Sequence, residues 1–285
     1  MRPSHAIAFG LVLFCAAAAE AALTHRYSFN DGTANDSVGT AHGVLVNGAT
    51  VSNGQLVFDP NVNTGFNSNP ATGQYVDLPN NIAATRAVTL EAWTTYRGGS
   101  NWQRIADFGN NSSGKEIVPS DKATVGYYGV GFIMLTPSNT FFDPVAQISV
   151  NSSGGPDTDF VGAVNTPFAQ NVRHHIVFTH DPDAGVNALW VDGNKLGQSV
   201  AQFDSSGMDY KNYWIGRSNF QQDAFYNGTI DEFRIYDQGL TAAQVVANYV
   251  SGPDAVPEPA AASLALAAAA LTLCRPRRGG SGCRG

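Results

Sequence analysis

The amino-acid sequence predicts an all-β fold in which two antiparallel sheets pack face to face. Three observations predict it: short runs of β-branched and aromatic residues recur along the chain, clusters of Gly, Asn, Asp and Pro separate these runs, and helical periodicity is almost absent. More than a dozen short strands without helices between them are typical of a sandwich or a barrel.

The predicted strands are short and closely spaced along the chain. They cover residues 24–29, 43–46, 55–58, 74–78, 88–96, 104–108, 128–135, 145–150, 160–164, 174–180, 187–191, 213–216 and 229–236. The segments DPDAG (181–185) and DGNK (192–195) carry turn residues.

The last predicted strand, 229–236, alternates in a way that assigns its faces. Asp231, Phe233 and Ile235 share one face, and Ile230, Glu232, Arg234 and Tyr236 share the other. We expect Phe233 and Ile235 to face the core. Asp231 at the edge of this face then needs a partner, which Arg217, Arg234 or a cation would supply.

One short helix is expected after the last strand. Thr241 can cap it, and Gln244 three residues later completes a capping box. Val245, Val246 and Tyr249 give this helix an apolar side. Gly252 and the proline that follows it end the helix.

The N-terminus has the pattern of a secretory signal peptide. Arg2 and His5 precede an apolar run over residues 6–19, and an Ala-x-Ala site ends at Ala21. We therefore expect residues 1–21 to be removed on export. Cys15 raises the alternative of a lipoprotein, but Phe14 stands where lipoproteins need a small residue.

The C-terminal segment, residues 255–285, differs abruptly in composition from the preceding chain. A Pro-Glu-Pro motif precedes a short apolar run over 260–274, and an arginine cluster follows; these residues are Pro257, Glu258, Pro259, Arg275, Arg277 and Arg278. The order of these parts resembles the PEP-CTERM sorting signal. The resemblance implies a transiently membrane-anchored precursor, an exosortase-type processing enzyme as partner, and display at the surface of a Gram-negative bacterium.

The segment between the two targeting signals, residues 22–254, is expected to form one domain. It carries 11 basic and 21 acidic side chains, a net charge of −10. Such a surface repels phosphate backbones and anionic lipid, so nucleic-acid and membrane-surface binding are disfavoured. The segment contains no cysteine, and a core of this size needs no disulfide.

A series of motifs in residues 22–254 resembles the laminin G-like jelly-roll family, which is grouped with concanavalin A-like lectins and glucanases. The motifs occur in the order of the family: HRYSFNDG (25–32), DSVG (36–39), GQLVFD (54–59), VTLEAW (88–93), RHHIVFTH (173–180), LWVDG (189–193), IGR (215–217), GTIDEFRIY (228–236) and LT (240–241). The resemblance implies a two-sheet antiparallel jelly-roll sandwich with one short C-terminal helix. Residues 109–165 do not match the family clearly.

Calcium is the cofactor that the sequence suggests. The loop NDGTAND (30–36) is rich in carboxylates and carbonyls, the ligands that Ca²⁺ prefers. The family resemblance implies a structural calcium ion held by Asp36 and Asp231, with backbone carbonyls near Asn30 and Gly32. The alternative is that both aspartates cap turns and pair with arginine.

Two further features suggest sites but have structural alternatives. His174 and His175 are adjacent in a predicted strand, point to opposite faces and therefore cannot share a zinc ion. Trp102 follows the glycine-containing segment RGGSN (97–101), where an exposed indole could stack on a sugar ring or pack under the sandwich. The tryptophans at 93, 190 and 214 lie within strand runs and are expected to pack.

The sequence contains no motif of a known catalytic site. The glucanases of the resembled fold carry Glu-x-Asp-x-x-Glu on one strand, and this chain lacks it. The leading hypothesis is therefore a non-catalytic, surface-displayed binding or adhesion module for extracellular polysaccharide or matrix protein. The alternatives are a structural surface component without a discrete ligand and a divergent polysaccharide hydrolase or lyase.

Overall fold

A computed structural model describes most of the predicted domain, residues 22–254. The described residues are 21–117, 127–140, 143–149, 158–162, 168–206 and 210–256. Residues 1–20 of the predicted signal peptide lie outside them, as do the predicted sorting-signal residues Pro257, Glu258, Pro259, Arg275, Arg277 and Arg278. Within the described ranges, no helix is both long and apolar enough to span a bilayer.

The described chain forms two antiparallel sheets and one helix, which confirms the predicted sandwich. The elements are β1 (Leu23–Tyr27), β2 (Val44–Val46), β3 (Thr50–Ser52), β4 (Gln55–Val57), β5 (Tyr75–Leu78), β6 (Val88–Tyr96), β7 (Ala106–Asn111), β8 (Gly129–Thr136), β9 (Val145–Ser149), β10 (Thr158–Gly162), β11 (Arg173–Asp181), β12 (Val186–Val191), β13 (Asn194–Val200), β14 (Asn212–Ile215), β15 (Gly228–Tyr236) and α1 (Ala242–Ser251).

Non-consecutive strands are neighbours in both sheets. The first sheet has the order β13-β12-β11-β6-β15-β4-β3, with β1 also paired to β15, and we call it sheet A. The second, sheet B, has the order β10-β9-β8-β7-β14-β5-β2. The sequence does not predict β3 and β13. Both are edge strands, and β13 is rich in polar and small residues because much of it faces solvent.

The core between the sheets is aromatic. Phe233 and Ile235 are buried in it, as predicted, with exposures of 0% and 1%. The Phe108 ring lies 6.0 Å from Phe233 and 4.8 Å from Tyr213, so rings from both sheets meet at the centre of the sandwich.

A β-bulge at Asp231 changes two of the predictions for β15. The register with β6 shifts between Ile230 and Glu232, so Ile230 joins Phe233 in the core instead of sharing the face of Glu232. Asp231 pairs with Arg173, whose Nη1 atom lies 2.6 Å from the Asp231 Oδ2 atom. The expected partners, Arg217 and Arg234, form other contacts. The error arises because strict alternation along a strand fails at an inserted residue.

The helix α1 begins and ends as predicted. The Thr241 side chain accepts a hydrogen bond from the backbone of Gln244, and the Gln244 side chain accepts one from the backbone of Thr241. Gly252 ends the helix with a φ of 80°, which a residue with a side chain rarely adopts.

A buried polar cluster lies between sheet A and α1, with Glu91 on β6 at its centre. The Glu91 carboxylate accepts hydrogen bonds from His175 (2.8 Å), the Tyr236 hydroxyl (2.7 Å) and Asn248 on α1 (3.0 Å). Arg234 lies 3.4 Å away. Burial alone would raise the pKa of Glu91, but the His175 and Arg234 contacts hold it below its ordinary value. The helix is therefore attached to the sheet through a charged carboxylate.

The same cluster fixes the chain after the helix. Glu232 accepts hydrogen bonds from Arg26 at 2.5 Å and from Arg234 at 2.6 Å. Both guanidinium groups also donate to the carbonyl of Pro253. The described chain thus ends against the outer face of sheet A.

We expect Glu91→Ala to lower the free energy of unfolding by about 3–5 kcal/mol, because it leaves His175, Tyr236 and Asn248 buried without their acceptor and removes one of the two carboxylates beside Arg234. Urea unfolding followed by fluorescence measures the change. Asp183→Ala is the matched control. Its ion pair with Arg86 is exposed, so a loss below about 1 kcal/mol is expected. Losses of similar size in the two variants would contradict this assignment.

Candidate functional site

A cleft opens at one end of the sandwich, where loops from both sheets meet. It lies beyond the C-terminal ends of β6 and β8 and the N-terminal end of β11, and its volume is about 460 Å³. The lining residues are Tyr96, Gly99, Asn101, Pro137, Ser138, Asp143, Phe168, Ala169 and Gln170. Binding sites on β-sandwiches are commonly carried by such end loops, because the sheets hold them in place.

The buried Gln103 side chain shapes the wall of this cleft. Its amide nitrogen donates to the carbonyl of Ser100 at 2.9 Å and lies 3.2 Å from that of Gly98. Its amide oxygen accepts a hydrogen bond from the backbone of Asn227 at 2.7 Å. One side chain therefore ties the 97–103 loop to the segment before β15, and the cleft wall is organised before any ligand arrives.

Two aromatic residues, Tyr96 and Phe168, line the cleft beside hydrogen-bonding groups, and both are almost fully buried, with exposures of 5% and 6%. Burial raises the pKa of Tyr96 to about 12, and the nearby charge of Asp143 adds to this shift, so the hydroxyl stays protonated. The Asp143 Oδ1 atom is buried and accepts no hydrogen bond from any described residue. Buried carboxylate oxygens normally have a donor, so Asp143 lines the cleft with an acceptor that no described residue uses.

Trp102 is not among the residues that line this cleft. The side chain is half-buried and packs with the apolar cluster of Phe132 and Met134 on the outer face of sheet B. The Arg104 guanidinium group lies 5.4 Å from the centre of the indole ring. Its neighbour Asn101 lines the cleft. These contacts correspond to the packing alternative, and sugar stacking on Trp102 stays a prediction.

The Asp36 carboxylate, the first predicted calcium ligand, is surrounded by hydrogen-bond donors. It accepts hydrogen bonds from the backbone N–H groups of Arg26 (3.0 Å), Gly39 (2.9 Å) and Ala41 (3.2 Å), and from His25 (2.7 Å). Burial alone would raise its pKa, but these bonds lower it below the ordinary value. The carboxylate therefore orders the loop between β1 and β2.

The second predicted calcium ligand, Asp231, pairs with Arg173, as described above, so a cation would have to displace this contact. The Asn30 side-chain amide donates to Asp254 at 2.9 Å, and the backbone N–H of Gly32 donates to the carbonyl of Phe29; neither bond uses the backbone carbonyls that the prediction names. Among the described residues, no three His, Cys, Asp or Glu side chains are grouped as a metal site. Calcium binding stays a prediction.

His174 and His175 contact different carboxylates. His174 lies 2.7 Å from Asp192, and its ring packs on Phe168, which lines the cleft. His175 contacts Glu91, and its ring stacks between Trp93 and Tyr249. The two side chains thus take part in separate contacts, as the alternation of strand residues predicts.

The outer face of sheet B brings two carboxylates into one row, a feature that bears on catalysis. Trp214 on β14 is paired with Asp77 on one side and with Asp107 on the other. Two strand spacings separate the two aspartates by about 10 Å, close to the carboxylate separation of inverting glycosidases.

The contacts of this row are those of a structural network. Asp107 is fully buried and accepts two hydrogen bonds from Asn219, at 3.0 and 2.8 Å, beside its ion pair with Arg104. The Arg217 guanidinium group covers the Trp214 ring at 4.0 Å. Since protein groups already hold Asp107, the row does not by itself favour hydrolysis.

The sequence predicts a candidate ligand contact at Trp102, next to the cleft residue Asn101, but it does not predict the residues that form the cleft. Tyr96, Asp143 and Gln170 belong to separate loops and share no motif. The glycine pair at 98–99 was the available signal, since both residues have positive φ angles, 92° and 126°.

We expect Asp36→Asn to lower the free energy of unfolding by about 2–3 kcal/mol in EDTA, because an amide replaces a charged acceptor of several N–H groups. Thermal melts of both proteins measure this change.

Calcium binding makes a separate prediction: CaCl₂ should raise the melting temperature of the wild type more than that of Asp36→Asn. A wild-type melting temperature that responds to neither EDTA nor CaCl₂ would contradict calcium binding.

Asp77 should make stability depend on pH. Burial raises its pKa to about 6, despite the hydrogen bond from Trp214. The folded state therefore binds this proton more tightly, and its contribution to stability falls as pH rises from about 4 to about 6. Asp77→Asn removes this titration and keeps the acceptor for Trp214. Relative to the wild type, the variant should gain roughly 2 kcal/mol across that window in urea unfolding. Parallel pH profiles would exclude the assignment.

Comparison of this sequence with known protein families agrees with the observed two-sheet sandwich. A sequence model of the concanavalin A-like lectin/glucanases superfamily matches residues 70–246. No match is found among curated proteins.

Similar solved structures include two that cover 80% of this chain. One is domain 4 of AbnA, an extracellular arabinanase from Geobacillus stearothermophilus, in complex with arabinotriose: the TM-score is 0.61 at 18% identity, over 80% of this chain and 98% of that one. The other is the binding domain of a botulinum neurotoxin of serotype D/C: the TM-score is 0.56 at 11% identity, over 80% of this chain and 52% of that one. These likenesses show a shared fold. Because the family model matches more than half of its residues, the chain belongs to the concanavalin A-like lectin/glucanase superfamily.

Proposed function

We propose that this protein is a non-catalytic binding module for neutral glycans and that the cleft at the end of the sandwich is its binding site. The observation that carries the proposal is the lining of the cleft. Aromatic rings, amides, a hydroxyl group and one carboxylate surround a volume of about 460 Å³, and Gln103 fixes the wall.

The lining matches the chemistry of a sugar. Sugar hydroxyls can donate to the Asp143 carboxylate and are hydrogen-bond partners for Asn101, Ser138 and Gln170. The apolar face of a sugar ring can pack on an aromatic ring. A small number of placed polar groups among apolar ones is typical of a specific ligand site.

Charge favours a neutral ligand over an acidic one. Residues 22–254 have a net charge of −10, and no Lys or Arg is among the described residues that line the cleft. A uronate, sialate or sulfate group would therefore meet Asp143 without a counter-charge. Neutral polysaccharides carry no such penalty.

The comparisons support this proposal. The arabinanase domain with the same fold was solved with arabinotriose, a neutral oligosaccharide, and this chain spans 98% of its length. A fold hosts many functions, so this likeness adds to the argument from the cleft and does not replace it.

We propose that the predicted signal peptide and sorting signal bring this activity outside the cell. The signal peptide would direct export, and the PEP-CTERM-like tail would be processed by an exosortase-type enzyme before surface display. The extracellular ligand would be polysaccharide, with matrix protein as the alternative. A structural role without a discrete ligand and polysaccharide hydrolysis are the competing functions. A structural Ca²⁺ ion held by Asp36 and Asp231 is also part of the proposal.

An array of neutral and acidic glycans tests the function directly. We expect binding to neutral members, with Asp143→Asn raising the Kd of those members about tenfold or more, since it removes a charged acceptor. Asp183→Asn, at the opposite end of β11, should bind as the wild type does. Binding only to acidic glycans, or equal binding by Asp143→Asn, would refute the proposed site. Reducing-sugar release from any bound polysaccharide would favour a hydrolase instead.

A further inference from the structure

An exposed phenylalanine stands beside the cleft. The Phe66 side chain is 71% exposed, which makes it the most exposed aromatic residue among those described. A single exposed apolar side chain has no meaning in itself. The position of Phe66 is informative because its loop, residues 62–67, is bonded directly to the loop that forms the cleft wall.

Two contacts join these loops. The Gly65 carbonyl accepts a hydrogen bond from the backbone of Ser100 at 2.8 Å, between the cleft residues Gly99 and Asn101. The backbones approach so closely that a Cβ atom on Gly99 would lie 2.6 Å from the Gly65 Cα atom. Phe66 therefore begins one peptide bond from the cleft wall.

Buried Asn227 supports the same junction from below. Its side-chain amide lies 3.1 Å from the carbonyl of Gly98 and 3.4 Å from that of Thr64, one on each loop. The two loops are thus held by a common side chain, and the position of Phe66 relative to the cleft is fixed.

The other side of Phe66 is anchored as well. The Asn67 carbonyl accepts a hydrogen bond from the backbone of Phe225 at 2.9 Å, and its side chain donates to Val62 at 3.0 Å. The backbone on both sides of Phe66 is therefore anchored, so little backbone freedom is lost when a ligand binds the ring. A phenyl ring offers a large apolar contact surface with few rotatable bonds.

We propose that Phe66 is the stacking platform of a second subsite, so that the ligand is a neutral oligosaccharide whose chain extends from the cleft over the 98–100 and 64–67 loops. The cleft holds one sugar unit through hydrogen bonds, and the apolar face of a later unit packs on the Phe66 ring. The inference rests on the proposed glycan binding and adds a dependence on chain length. A monosaccharide reaches the cleft alone, whereas an oligosaccharide reaches both places.

The test compares binding of the full-length chain to a ladder of neutral sugars from monosaccharide to hexasaccharide, with arabinose and arabinotriose included, by isothermal titration calorimetry. The wild type should bind the longer members more tightly than the monosaccharide. Phe66→Ala should weaken the longer members about three- to tenfold and leave the monosaccharide unchanged. Phe66→Trp should retain the gain with length.

Tyr128→Ala is the matched control, because Tyr128 is also exposed but precedes β8 at the end of sheet B away from the cleft; it should change nothing. If the wild type binds these sugars without any gain in affinity with length, or if Phe66→Ala keeps that gain, the second subsite is refuted while glycan binding stands. Equal weakening of short and long sugars by Phe66→Ala also refutes it, since the ring would then act on the cleft itself. No binding by the wild type to any member rejects the glycan function, and the subsite with it.

Discussion

The pairing of β15 with β6 is the interaction on which the rest of the structure depends. On the inner side of this pair, Phe233 packs against rings from sheet B and closes the core. On the outer side, Glu91 and Glu232 pair with the buried arginine side chains that hold α1 and the end of the described chain. The backbone hydrogen bonds between β6 and β15 therefore position both the apolar core between the sheets and the buried charges under α1.

Two buried charge networks cover the outer faces of the sheets in different ways. Under α1, carboxylates and guanidinium groups are almost completely paired, so the penalty of burying each charge is offset by close partners. On sheet B, Arg104 and Arg217 lie over aromatic rings, and Arg104 also pairs with Asp107. Both networks use the polar faces of strands for structure. Each network leaves a single buried atom without a partner among the described residues, His175 Nδ1 under α1 and Asn219 Oδ1 on sheet B, but the carboxylates of both networks are held by protein groups.

The cleft combines rigidity with an unsatisfied acceptor. Gln103 and Asn227 cross-link the loops through backbone carbonyls, so that little ordering remains to be done on binding. Asp143 Oδ1 has no donor among the described residues, and neither has Asn227 Oδ1 at the junction of the loops. The combination distinguishes the cleft from the outer face of sheet B, where each carboxylate is already held by protein groups.

The sequence by itself determined the sandwich, the capped helix and the inward direction of Phe233 and Ile235, because these follow from local periodicity and capping. It also gave the correct burial of Trp93, Trp190 and Trp214. Only the tertiary structure decided the bulge at Asp231, its pairing with Arg173, and the meeting of Tyr96, Asp143 and Phe66 at one end of the molecule. Those features depend on which loops are neighbours in space. Contacts between residues far apart in the chain leave no pattern in the sequence from which they could be predicted.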